Sequence, residues 1–238
     1  MAGLSSWFQG IDLDRVVEWV MFALAALLSI SVHESSHALS AAWLGDDTAK
    51  RMGRISLNPL RHLEPLGFVM MVVAHFGWAR PVPVNPYRMT KLKSPKTGMA
   101  LTALAGPVSN VLLALVAGLA LYVGIYAGWG KQWFSEAGGW YRYLLQFLES
   151  CLVLNTGLAV FNLIPISPLD GSKVLAIVLP DRAYEKLMRY ERYGMPVLMV
   201  LLFTGILDKP LAFLRVGLME GVIALVRPLA SLITGVTL

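Results

Sequence analysis

His33-Glu34-Ser35-Ser36-His37 sets two imidazoles four residues apart around a carboxylate, an H-E-x-x-H pattern. On a helix, residues i and i+4 share a face at about 5–6 Å between Cβ atoms, so both rings can reach one cation. Zn²⁺ suits such a pair, with imidazole nitrogens at about 2.0–2.1 Å. Glu34 faces away from direct ligation and stands close enough to act on a water at the metal. The setting sharpens this. Residues 16–32 carry one charge, Glu18, and residues 38–44 carry none. Ionisable groups near a bilayer centre cost about 2.5–3.5 kcal/mol each on insertion scales. A bound metal would offset that cost.

A catalytic zinc takes three protein ligands and keeps one position open. His62, His75 and several acids are available as the third. Asp170 is favoured, in the run Phe161-Asn-Leu-Ile-Pro-Ile-Ser-Pro-Leu-Asp-Gly171. There an apolar segment is broken by Pro165 and Pro168, which remove backbone donors. The carboxylate follows at once, ahead of a fresh helix at 172–179. Its plainer use is to cap that helix, which Asp does well. The pentad tips the balance toward a ligand, and one carboxylate oxygen can still cap. His62, between Arg61 and Glu64, reads as a surface or structural hydrogen bond, and His75 as structural.

The elements that must position these residues are membrane helices. The chain has 238 residues, 56% of them hydrophobic and 15% charged, with a mean hydropathy of +0.62. Soluble domains carry about 25% charged residues. Apolar runs recur along the whole length, which predicts an all-α polytopic membrane protein of about 4–6 transmembrane helices. The single cysteine, Cys151, excludes a disulfide framework and a thiolate metal site. The N-terminus lacks a charged start and a cleavage site, so the first helix is expected to be retained.

Spans are predicted at 16–44, 99–126 and 143–164, with a short one at 195–207. The stretch 211–236 is interrupted by Arg215, Glu220, Arg227 and Pro228, so a last span and an interfacial helix both fit. Residues 66–78 are apolar but too short to span. They continue into Arg80-Pro-Val-Pro-Val-Asn-Pro86, which reads as extended chain. A re-entrant extended or β hairpin near the active site is the expectation, sheltered by protein at membrane depth.

Charge supports the same topology. The segment 45–98 holds nine Lys/Arg, 127–142 holds only Lys131 and Arg142, and 171–194 holds five. By the positive-inside rule this reads cytoplasmic, external, cytoplasmic. The pentad then lies in the cytoplasmic half of the first span. Trp129, Trp133 and Trp140 read as an external interface belt. The net charge of +5 belongs to this pattern and gives no reason to expect nucleic acid. Residues 181–194 read as an amphipathic cytoplasmic helix.

Several runs together resemble the site-2 protease family of intramembrane metalloproteases. They are the pentad, Asn58-Pro59…His62…Pro65…Gly67, the Gly77–Pro86 run, Gly106-Pro107…Asn110 and the Phe161–Gly171 run. The resemblance covers about residues 16–180, two thirds of the chain. Against the usual family pattern, Ser35-Ser36 replace small apolar residues or glycine, Glu64 replaces aspartate, and Ser172-Lys173 replace Gly-Arg. The resemblance implies zinc held by His33, His37 and Asp170, with Glu34 as general base. It further implies that Asn162 hydrogen-bonds the scissile carbonyl or its oxyanion and that the hairpin guides an unwound substrate.

Asn110, Pro83 and Val84 join Asn162 as candidates for the substrate site. Helix packing beside Gly106 is the plainer use of Asn110. Satisfying a broken helix backbone is that of Asn162. The implied partner is the transmembrane segment of a single-pass membrane protein, such as an anti-sigma factor or a signal-peptide remnant. The implied setting is the lipid bilayer of a bacterial or archaeal cell membrane, with the active site toward the cytoplasm. Oligomeric state is left open. Residues 1–238 are expected to form one membrane-embedded protease domain, with a core at 16–180 and C-terminal helices at 181–238. PDZ and cystathionine-β-synthase-type domains are not expected. Two other classes compete: a metal-ion transporter, which would want several sites along a path, and a catalytically silent homologue, which would usually lack the base or a ligand.

Overall fold

A computed structural model describes residues 12–64, 80–127, 140–175 and 177–236. Asp12 opens the first helix, α1 (Leu13–Leu44), by accepting hydrogen bonds from the amides of Asp14 and Arg15. Such a cap satisfies donors that the first turn leaves bare. The helix stops at Gly45, where φ is 113°. A Cβ there would also sit 2.7 Å from Thr90 Oγ1, so both backbone and neighbour require glycine.

A single turn, α2 (Thr48–Arg51), comes after it, then 3₁₀ turns at Pro59–Arg61 and Pro86–Arg88 capped by Asn58 and Asn85. Next come α3 (Pro95–Tyr126) and α4 (Trp140–Asn162). Four shorter pieces succeed them: α5 (Asp170–Leu175), α6 (Asp181–Tyr190), a 3₁₀ turn (Glu191–Tyr193) and α7 (Gly194–Phe203). The last helix is α8 (Asp208–Thr234). Helices α1, α3, α4 and α8 are long and apolar enough to cross a bilayer. The chain is an integral membrane protein. Among the described residues no sheet forms.

Helix α3 lies at the centre, packed against α1, α4, α5 and α8. Lipid tails are as apolar as leucine, so membrane helices associate by close packing of small residues. Ala25 of α1, Ala117 of α3 and Cys151 of α4 meet in that way. A second cluster joins α3, α4 and α8 through Ala114, Leu121, Leu145, Leu152, Val222 and Val226. Leu112 and Val116 of α3 and Leu232 of α8 are exposed, as lipid-facing side chains are. At one end of the bundle Asp14 of α1 meets Arg142 and Tyr143 of α4.

Two expectations change here. The short span at 195–207 is a helix of ten residues, α7. At 1.5 Å per residue it covers about 15 Å, half of a hydrocarbon core of about 30 Å. It does not cross. Conversely, α8 runs unbroken past Arg215, Glu220 and Arg227 with Pro228 inside it, and by length and composition it qualifies as a span. The helix expected at 172–179 is α5, which begins two residues earlier at Asp170 and ends at Leu175.

The hairpin expected at 66–78 lies outside the described residues, as do His75, Trp129 and Trp133. Its continuation, 80–85, is extended chain with no ladder. Both ends are tied down. The Arg80 amide donates to His62 O at 2.8 Å. The buried Arg54 guanidinium donates to Pro81 O at 2.8 Å, to Arg80 O at 3.2 Å and to Arg61 O. At the far end, fully buried Asp46 accepts from the Asn85 amide at 2.6 Å and from the Thr48 amide at 3.0 Å. Burial pushes the Asp46 carboxyl up, but hydrogen bonds from Thr48 and Asn85, with Arg88 nearby, outweigh it and hold it below the usual carboxylate range.

Candidate metal centre

The helical repeat places Ser29, His33 and His37 of α1 one turn apart, and all three are buried. Asp170 arrives from the other side. Beyond Asn162 the chain leaves α4 through Pro165 and Pro168 and turns sharply back. A Cβ on Gly171 would collide with the Leu163 carbonyl, so glycine permits the close return. Asp170 is thereby delivered, buried, to the two imidazoles. Its Oδ2 lies 3.2 Å from His33 Nε2 and 3.2 Å from His37 Nε2. The two Nε2 atoms are 3.0 Å apart.

These three atoms suit a tetrahedral metal. Ligands at about 2.0–2.2 Å from Zn²⁺ stand about 3.3–3.6 Å from one another, close to the spacings seen. Gly106 of α3 forms the adjoining wall. A Cβ there would come within 2.5 Å of Cε1 of both histidines and of His37 Nε2, so only glycine leaves the rings their place.

The far nitrogens are held too. His37 Nδ1 donates to Thr102 O at 2.7 Å, and His33 Nδ1 to Asn110 Oδ1 at 2.6 Å. Metal-binding histidines usually donate their second ring N–H in this way, which fixes tautomer and orientation. Glu34 is half-buried between His33 and His37 in sequence, and its charge reaches both His37 and Arg54. Among the described residues, His33, His37 and Asp170 form the group able to hold a metal.

Other sequence candidates fall elsewhere. Asn162 is half-buried and donates to Leu158 O at 3.0 Å, within its own helix. Pro83 and Val84 are half-buried in the tethered segment. No hydrogen bond links any of these three to His33, His37 or Asp170 among the described residues. Asn110 is brought directly against His33. His62 is fully buried and docks its loop on α1: Nε2 donates to Ser56 O at 2.7 Å, beside Ser35 Oγ at 3.3 Å. Ser35 itself donates to Ser56 O at 2.6 Å. That gives the unusual serine inside the pentad a structural use.

Sequence reasoning missed Thr102, Ser29 and Asn155. The signal was present in the last two, since polar side chains inside a span are costly and seldom idle.

The profile of Peptidase family M50 matches residues 21–205. The chain belongs to peptidase family M50. This M50 member is 39% identical over 181 residues to "Putative zinc metalloprotease YwhC" of Bacillus subtilis, covering 76% of this chain and 79% of that one. It is 27% identical over 203 residues to "Putative zinc metalloprotease Rip2" of Mycolicibacterium smegmatis, covering 83% and 72% respectively. Against the Rip2 of Mycobacterium tuberculosis the M50 chain is 28% identical over 220 residues, with 87% and 77% covered. No solved structure matches it.

Proposed function

We propose that this M50 protein is a zinc-dependent intramembrane endopeptidase, cutting a peptide bond within or near the transmembrane helix of a membrane-protein substrate. The observation that carries the proposal is the convergence of His33 Nε2, His37 Nε2 and Asp170 Oδ2, each within 3.2 Å of the others, inside a membrane bundle. The relatives' names, which include zinc metalloprotease, support the choice of metal.

In this site His33, His37 and Asp170 hold the zinc. When bound, the ion polarises the scissile carbonyl and acidifies water. Glu34 takes a proton from the attacking water as its oxygen bonds to the carbonyl carbon. As the C–N bond breaks, Glu34 returns that proton to the leaving nitrogen. Atoms and charge balance, and the carboxylate is restored. A transmembrane helix hides its carbonyls in i→i−4 bonds, so the substrate must unwind first. The tethered segment 80–85, with Pro83 and Val84 at its middle, offers extended backbone for strand-type pairing. Asn162 adds an oxyanion donor if its amide leaves Leu158.

The working domain is the membrane core of about residues 16–180, with C-terminal helices at 181–238. The lysine and arginine distribution supports an active site toward the cytoplasm, in a bacterial or archaeal cell membrane. The substrate class is a single-pass membrane protein, cut in regulated intramembrane proteolysis.

The test is metal content of detergent-purified protein beside cleavage of a single-pass reporter. About one zinc per chain is expected, lost in His37→Ala and Asp170→Ala. Glu34→Gln is expected to keep the zinc while losing cleavage by at least about 100-fold, the scale of a positioned general base. A metal-free wild type, or a Glu34→Gln that still cuts, would overturn the proposal.

A further inference from the structure

A one-way chain of hydrogen bonds leads from the ligand His33 into the middle of the bundle. Asn155 of α4 is fully buried. Its Nδ2 donates to Cys151 O at 2.7 Å and to Ser29 Oγ at 2.8 Å. The Cys151 carbonyl can only accept. The Ser29 hydroxyl donates its own hydrogen to Ala25 O at 2.6 Å, so toward Asn155 it too can only accept. Both partners demand the NH₂ side of Asn155, and its Oδ1 must face the other way.

There it meets Asn110 Nδ2 at 2.8 Å. Asn110 therefore turns its own oxygen to His33 Nδ1, 2.6 Å away. An oxygen at that position demands N–H on Nδ1 and leaves the lone pair on Nε2, the atom facing Asp170. We infer that Asn155, whose hydrogen bonds among the described residues go to Asn110, Ser29 and Cys151, is a positioning residue for the metal centre: acting through Asn110, it fixes the tautomer in which His33 offers Nε2 to zinc. The inference rests on the proposed zinc site. Without Asn155, Asn110 can turn over and present NH₂ to His33 Nδ1, which rewards the tautomer whose Nε2 lone pair is gone.

The near-isosteric Asn155→Leu tests this. Zinc affinity, read by chelator competition on purified protein, is expected to fall about 10–100-fold, the usual effect of losing an outer-shell partner. The visible absorption of the cobalt-substituted protein should change with it. Ser29→Ala is expected to stay near wild type, because the Cys151 carbonyl alone still orients Asn155. In an Asn110→Asp background the carboxylate accepts only, so His33 is oriented locally and Asn155→Leu should cost nothing further, a full coupling in the double-mutant cycle.

Unchanged affinity and spectrum in Asn155→Leu would overturn the inference, and so would an equal loss in both backgrounds, which marks a merely structural role. A wild type that binds no zinc fails earlier and removes the metalloenzyme reading itself. Nitrogen-15 NMR of histidine-labelled, zinc-loaded wild type needs no variant to fold: zinc on His33 Nε2 supports the inference, and zinc on Nδ1 overturns it.

Discussion

Gly106 illustrates how tightly single residues are set. A methyl there would lie 2.5 Å from ring atoms of both His33 and His37. Overpacking of this kind costs about 1–3 kcal/mol, and here the groups that must yield are the His33 and His37 rings. Gly106→Ala is expected to fold and to lose most of its zinc, measured as metal per chain after dialysis. Full metal content would show that the rings can retreat without loss. At this scale much was legible. The pentad announces itself by spacing, and Asp170 by a carboxylate where prolines break a span. Asn155 and Ser29 were legible only as costly polar residues inside spans, because sequence does not show which neighbour on another helix such a residue meets. Its meaning comes from Asn110, on another helix.

Between elements, the tethered segment 80–85 depends on two buried charges. Removing the Asp46 carboxylate strands the Asn85 and Thr48 amides, at about 1–3 kcal/mol for buried groups left unsatisfied. Asp46→Ala should therefore free the far end of the segment, seen as faster hydrogen exchange of the Asn85 amide, with zinc content unchanged. The pH dependence has a defined sign. Asp46 titrates below its ordinary value of 3.8 in the folded protein, so its contribution is fully present above that value and is lost as pH falls through the folded pKa. Exchange at Asn85, relative to its intrinsic rate, should accelerate only as pH falls below 3.8 in wild type and show no such step in Asp46→Asn. Extended chain at 80–85 was readable from its prolines. The two anchors were not, since a lone Asp after a glycine and an Arg in a basic loop look like surface residues until the fold buries them.

For the molecule as a whole, the number of crossings decides where each end lies. With α7 too short to span and α8 long enough, four of the described helices are fit to cross, and residues 12 and 236 both fall on the external side if these four are the crossings and the first loop is cytoplasmic. Single cysteines placed at Thr90 and at Val236 in a Cys151→Ala background should react with a membrane-impermeant maleimide from opposite sides of intact cells. Labelling of both from one side would make α8 an interfacial helix. Composition and hydropathy revealed the first three spans within a few residues. They left 211–236 undecided because Arg215, Glu220 and Arg227 weigh against insertion, whereas packing of Val222 and Val226 on α3 and α4 weighs for it.

Helix α1 has one further property that identity alone does not reveal. Ala25, Ser29, His33 and His37 stand at intervals of four, and each meets a different partner: Cys151, Asn155, Asn110 and Thr102. Each residue added to a helix rotates the remainder of that helix by about 100°. Substitutions along this stretch can be absorbed singly, but an insertion or deletion between Ala25 and His37 would swing one half of the set away from its neighbours at a stroke. Relatives that share this arrangement should therefore vary in length before Ala25 and beyond Ala41, and hold the interval between them constant.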